Sequence, residues 1–172
     1  MQAMQWLTGA TIQQKRALLT TSLGWMLDSM DMMLFSLVLT DLEHDLHMSA
    51  ATAGLLMSLS LISAAIGGIF FGWFADKVGR TRALIASMLI YSIFTACCGL
   101  AHTVVQLGIF RFLLGLGIGG EWAAGGALVA ETWPDQHRGK AMGTAQASWA
   151  IGYALGAAIT ALVLPHFGWR AV

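Results

Sequence analysis

Five apolar runs, at about residues 17–40, 50–75, 83–101, 104–130 and 141–164, dominate this chain, and each is near or above the roughly 20 residues a helix needs to cross a bilayer. In lipid a run of that length must satisfy its own backbone hydrogen bonds, which leaves helices or a closed barrel. The runs lack the alternation of barrel strands, so all five are expected to be helices. Composition agrees, because 57% hydrophobic and 10% charged residues in 172 leave too little polar surface for a water-soluble globule. The expected fold is all-α and transmembrane, with residues 1–16 a polar amino-terminal segment and 17–172 the membrane part.

Charge matters here by position, not by sum. The formal net charge is zero, which removes any electrostatic case for nucleic acid. Lys15 and Arg16 precede the first run, Lys77, Arg80 and Arg82 lie between the second and third, and Arg138 and Lys140 lie between the fourth and fifth. These connections are predicted to be cytoplasmic, placing the amino terminus inside. The opposite connections carry Asp41, Glu43, His44, Asp45, His47 and His102 with no Lys or Arg, and Arg170 is the one basic residue on the wrong side. The first 19 residues hold no apolar core followed by a small-residue cleavage site, so no removable signal peptide is expected and the first span directs insertion. Cys97 and Cys98 adjoin within an apolar run and read as small packing residues rather than a disulfide framework.

Four ionisable residues fall inside the runs: Asp28 and Asp31 in the first, Arg111 and Glu121 in the fourth. A charge at mid-bilayer costs at least ~3 kcal/mol on insertion scales, so each must face a partner or a hydrated cavity. Asp28 and Asp31 share a helix face. At ~1.5 Å per residue they lie ~16 and ~21 Å from the cytoplasmic end of the first span. The fourth span runs the other way, with Arg111 ~10 Å in from the outside, level with Asp31, and Glu121 nearer the cytoplasm. Arg111 is therefore expected to pair with Asp31 or with Asp28. Protonating that carboxylate would free Arg111 for an anionic solute, and Glu121, set among Gly119, Gly120, Ala123 and Ala124, is a second candidate proton site. The competing reading is that these charges are structural ion pairs.

Glycines cluster in the second, fourth and fifth runs, among them Gly68 and Gly72, Gly115 to Gly120, and Gly152 and Gly156, several of them four apart. That spacing lets helix backbones approach closely. Between the second and third runs stands Gly72-Trp73-Phe74-Ala75-Asp76-Lys77-Val78-Gly79-Arg80-Thr81-Arg82, an apolar helix ending in a charged turn where Gly79 permits a sharp or left-handed backbone. This segment resembles the loop signature of the major facilitator superfamily of transporters, with Thr81 in place of one of two adjacent basic residues and Arg82 restoring the charge. The resemblance implies a bundle of two three-helix inverted repeats, of which this chain would supply five helices, ending before a sixth and before a second six-helix bundle. It also implies that Asp76 and Arg80 latch the two bundles in the outward-facing state, with Glu131 a partner of Arg80 and Asp76 set at a helix terminus of the second bundle. Gly72, Lys77, Gly79, Arg82 and Arg138 belong to the same latch region. Glu131 and Arg138 flank Pro134, where a surface ion pair is the plainer expectation.

Leu27-Asp28-Ser29-Met30-Asp31, Arg111-Phe112-Leu113-Leu114-Gly115-Leu116-Gly117-Ile118-Gly119-Gly120-Glu121-Trp122, Glu131-Thr132-Trp133-Pro134 and Phe167-Gly168-Trp169-Arg170 resemble the sialic acid and carboxylate:proton symporter branch. The paired aspartates also resemble aromatic acid:proton symporters, which Gly-Glu-Trp fits less well. The resemblance implies proton-coupled symport of a small carboxylated metabolite by alternating access in a bacterial inner or plasma membrane, driven by the proton gradient with no cofactor. The rival class is a non-transporting helical sensor or assembly subunit. No nucleophile-base constellation, phosphate-cradling loop or H-E-x-x-H element suggests an enzyme. The outer acid and histidine residues match no closed zinc site, so no metal is expected.

Overall fold

The computed structural model describes residues 5–172, and every regular element in it is helical. A short α1 (Gln5–Thr8) leads into α2 (Ile12–Asp45), α3 (Ala50–Val78), α4 (Arg80–Gly99), α5 (Val104–Thr132) and α6 (Asp135–Phe167), followed by a 3₁₀ turn at Trp169–Ala171. All five long helices are long and apolar enough to cross a membrane. Four outrun the apolar windows seen in the sequence because polar and charged residues at their ends continue the helical turns, whereas α4 begins three residues early and stops slightly short, at Gly99. Thr11 and Gln14 form a reciprocal capping box at the start of α2, and Ser49 and Thr103 accept from Thr52 and Gln106 backbone N–H groups at the starts of α3 and α5.

Links this short force successive long helices to run antiparallel. The tightest is a single residue, Gly79, between α3 and α4. Its φ of 95° lies where a Cβ would be strained, so glycine is what permits helix to follow helix there.

Neighbours in sequence are not the main neighbours in space. α2 lies along α6 and α3 lies along α5, with α4 also on α5, while α2 and α3 barely meet. Helix α2 thus packs on the second helix of the later unit, and α5 on the second helix of the earlier one, as two interlocked inverted repeats require. Glycine makes both crossings close. A Cβ at Gly119 would strike the Ala64 carbonyl of α3, and one at Gly152 would strike the Met26 carbonyl of α2. Gly72, expected to pack in the same way, meets nothing within 4 Å. Phe71 and Ala75 beside it are buried against α4 and α5, but Gly72 lies on a side of α3 that faces no neighbouring helix.

Three apolar clusters fill the interior. Phe35, Val38, Leu42, Leu107 and Leu114 pack toward one end, Leu18, Trp25, Val129 and Trp133 toward the other, and Phe71, Ala75, Ala83 and Leu84 between α3 and α4. Trp6 of α1 lies 5.0 Å from the Trp133 ring, so the segment before the first span closes that second cluster. Outside, Leu55, Ile62, Ile69 and Leu162 are exposed, an apolar surface suited to lipid.

Candidate functional site

The four intramembrane charges gather where α2 meets α5. Arg111 Nη1 donates to Asp31 Oδ2 at 3.1 Å, and the two residues are only 7% and 6% exposed. The guanidinium also lies over the Phe35 ring, its Cζ 3.6 Å from the centroid. Of the two aspartates that the depth count left open, Asp31 holds Arg111. The pair separates a cavity of about 230 Å³, which reaches Leu107 and the Trp169–Ala171 turn, from one of about 50 Å³ against Met57 and Ser60 of α3. Removal of either partner of a charge pair so placed strands the other, largely desolvated, without its counter-charge.

Asp28, one turn back along α2, is fully buried and accepts from Trp122 Nε1 at 2.9 Å. The Trp122 indole is stacked on Trp25, with centroids 4.7 Å apart and an interplanar angle of 17°. Glu121 is 1% exposed, and its carboxyl occupies the place a side chain on Gly24 would need. Neither Glu121 oxygen, nor Asp28 Oδ1, nor Arg111 Nε has a hydrogen-bond partner. Buried polar atoms without partners are costly, so such a cluster suits protonation, hydration or a ligand better than permanent closure. Tyr91 Oη donates to the Leu27 carbonyl at 3.0 Å and pins α4 to the same stretch of α2.

The Trp122 contact to Asp28, the seat of Glu121 on Gly24 and the Phe35 ring beneath Arg111 were not anticipated. Trp122 follows Glu121 directly and Gly24 lies four residues before Asp28, so the adjacency was visible in the sequence. The rotation of each helix about its axis was not.

At the end bearing the α3–α4 turn, Arg80 holds two carboxylates: Nη1 to Asp76 Oδ1 at 2.8 Å and Nε to Glu131 Oε1 at 3.0 Å. Asp76 thus has a partner on the neighbouring helix of its own bundle. Asp76 and Glu131 sit in the last turns of α3 and α5, and Arg80 begins α4, so all three charges oppose their helix dipoles. Helix stability alone does not favour that arrangement. Arg138 does not reach Glu131 but pairs with Asp135 at 2.6 Å, three residues away on α6, where an acid in the first turn suits the dipole. Lys77 and Arg82 are exposed. At the opposite end Arg170, the exception to the basic-loop pattern, donates to Asp45 Oδ2 at 2.5 Å and lies over the Trp169 ring, and Trp169 Nε1 donates to the same oxygen at 3.1 Å.

Buried charge at the crossing of two membrane-length helices, inside a glycine-packed bundle of inverted repeats, is the architecture of a polytopic membrane protein. The profile described as Major Facilitator Superfamily matches residues 21–172, and the chain belongs to that family, whose members are transporters and not enzymes. It is 38% identical over 156 residues to the cis,cis-muconate transport protein of Acinetobacter baylyi, covering 91% of this chain and 38% of that protein. It is 33% identical over 172 residues to the sialic acid transporter NanX of Escherichia coli, covering 98% of this chain and 42% of that protein. A bacterial homologue of the human lysosomal transporter Spinster, solved in an inward-facing and occupied conformation, superposes with a TM-score of 0.81 at 25% identity, over 93% of this chain and 36% of that one. The chain spans about two fifths of the length of the curated relatives it matches.

Proposed function

We propose that this chain is the amino-terminal part of a secondary active transporter that couples a proton to the movement of a small carboxylated solute by alternating access. The buried Arg111–Asp31 pair is the observation that carries this reading. With Asp31 ionised, the guanidinium's charge is balanced and the site has no net cation to offer. A proton on Asp31 removes the partner, and Arg111 then attracts a carboxylate, so proton and solute favour the same state. Glu121 and Asp28, whose unpartnered oxygens face the same α2–α5 crossing, form a second place for a proton. Muconate and sialic acid, named for two relatives, both carry carboxylate, which fits a guanidinium as the recognising group.

The basic connections favour a cytoplasmic amino terminus and α3–α4 turn; in this reading the protein sits in a bacterial inner or plasma membrane, and Asp76, Arg80 and Glu131 act as a latch between this bundle and a second one. Proton-driven uptake by the full-length transporter carrying Asp31→Asn is the test. Loss of accumulation against a gradient, with solute exchange retained, is the expected result; undiminished coupled uptake removes Asp31 from the mechanism.

A further inference from the structure

Arg170 is the basic residue that the charge pattern of the connections leaves over, and its surroundings give it a use. It stands in the 3₁₀ turn Trp169–Ala171, bound to Asp45 at the end of α2, and its Nη2 donates to the Ala101 carbonyl at 3.3 Å, just past the end of α4. Trp169 and Arg170 line two spaces at once. One is the cavity of about 230 Å³ that ends on Arg111 and Asp31, and the other is a cleft of about 550 Å³ bounded by Asp41, His44 and Phe167. The two side chains thus stand between cleft and cavity. Asp31 and Asp45 lie about four turns, or ~21 Å, apart along α2, and Phe35, Val38 and Leu42 of the same helix line the cavity between them. The arrangement at the inner end is repeated at the outer one: a guanidinium holds an aspartate of α2 and lies over an aromatic ring, Phe35 for Arg111 and Trp169 for Arg170.

We propose that Arg170 and Trp169 form a second carboxylate-binding position at the mouth of the cavity, where the solute docks before it reaches Arg111, and that the Asp45 carboxylate fills this position when no solute is there. This rests on the reading of the chain as part of a carrier of carboxylated solutes, and it adds a stop on the way to the buried site. Two donors, Arg170 Nη1 and Trp169 Nε1, already converge on one Asp45 oxygen, which is the reception an incoming carboxylate needs. Asp45 is readily displaced. Its side chain is 43% exposed and that of Arg170 is 40% exposed, so exchanging one carboxylate for another through water costs little. Nor does its own helix favour it, since an acid in the last turn of α2 opposes the dipole. Once Asp31 is protonated, the buried Arg111 attracts an anion more strongly than an exposed guanidinium does, and the solute moves inward. Asp41 stays in the outer cleft and keeps the hold there weak enough to release.

The experiment is transport by the full-length protein in right-side-out and inside-out membrane vesicles, with cis,cis-muconate, N-acetylneuraminate and benzoate as probes. Asp45→Asn is expected to lower the KM for entry from the side bearing Arg170 by about two- to threefold, because the resident competitor loses its charge. Arg170→Gln raises that KM by about three- to tenfold and Arg170→Lys raises it less, while KM from the opposite side moves by less than about twofold. The double variant Arg170→Gln with Asp45→Asn keeps the raised KM. An ion pair that only braces the fold behaves in the reverse way: each single variant raises KM and the double variant recovers. A raised KM in Asp45→Asn, a native KM in Arg170→Gln, or equal changes from both sides therefore overturns the outer position, and carboxylate uptake that persists with any of these leaves the carrier reading standing. If Arg170→Gln fails to reach the membrane, the sign of the change in Asp45→Asn decides alone. Uptake of no carboxylate at all overturns both.

Discussion

Arg111 and Arg80 each hold carboxylates at about 3 Å, yet the two sites are physically opposite. Arg111 and Asp31 are almost sealed between α2 and α5, whereas the Arg80 side chain is 26% exposed and its partners Asp76 and Glu131 are 63% and 55% exposed. The inner pair borders a cavity but is largely shielded from bulk salt and water, so its energy depends strongly on whether both members are present and charged. The outer triad exchanges its partners for water at little cost. A dry pair is suited to sensing a proton or a ligand, and a wet triad to forming and breaking as surfaces move. The same chemical pairing thus suits different purposes according to what surrounds it.

The comparison breaks most sharply if the inner pair is opened from one side. Arg111→Leu leaves Asp31 buried without its cation and is expected to cost about 3–5 kcal/mol, read as a lowered thermal midpoint of the detergent-solubilised full-length protein. The double variant Arg111→Leu with Asp31→Leu should recover most of that stability, because no charge is then stranded, yet it should not transport. If the double variant is as unstable as the single one, the pair is not the insulated unit described.

Next in size is the crossing that keeps the middle dry. Gly119→Val places branched carbons against the Ala64 carbonyl of α3, where backbone cannot yield without separating the helices. A destabilisation of about 1–3 kcal/mol is expected, with faster hydrogen exchange along α3 and α5. An unshifted midpoint would mean that the crossing is looser than the geometry implies.

How much of this was legible in the sequence follows from which quantity each feature needs. Apolar run length and 1.5 Å per residue suffice for the spans and for putting Asp31 level with Arg111, since depth along an antiparallel helix is a one-dimensional count. The partnership of Arg80 with Glu131 came from family resemblance and could not have come from spacing, since 51 residues separate them. Trp122 on Asp28 and Glu121 against Gly24 depend on helix rotation, which a helix nonpolar on most sides does not disclose because its hydrophobic face is not one-sided. Arg138 was expected near Glu131 across Pro134. The turn at Trp133 and Pro134 instead starts a new helix, and Asp135 on that helix lies closer. Arg170 looked like an exception to the charge pattern, and the acidic end of α2 opposite it was the available clue.

At the wet end the expected effects are smaller on stability than on function. Asp76→Asn removes one of two carboxylates from an exposed guanidinium, so the midpoint should move by no more than about 1 kcal/mol, and that shift should shrink further in 1 M salt. Uptake should nevertheless slow, because a latch works by the difference between two states and not by the stability of either. Native-rate transport by Asp76→Asn would show that Arg80 with Glu131 alone suffices, and would take Asp76 out of the latch.

The smallest effect, and the one with opposite sign, belongs to Gly72. It lies in the interior of α3 with nothing within 4 Å of where a Cβ would stand, so Gly72→Ala brings no clash. Alanine gives up less backbone freedom on entering a helix, which favours the variant by about 0.5–1 kcal/mol at an exposed site. A slightly raised midpoint with unchanged structure is therefore expected in this bundle alone. If transport by the full-length protein falls while the midpoint rises, the open space beside Gly72 is occupied during the cycle by a helix from elsewhere in the transporter. Gly72 would then serve the moving surface as Gly119 serves the fixed one, and its place in the latch segment would follow from close approach rather than from charge.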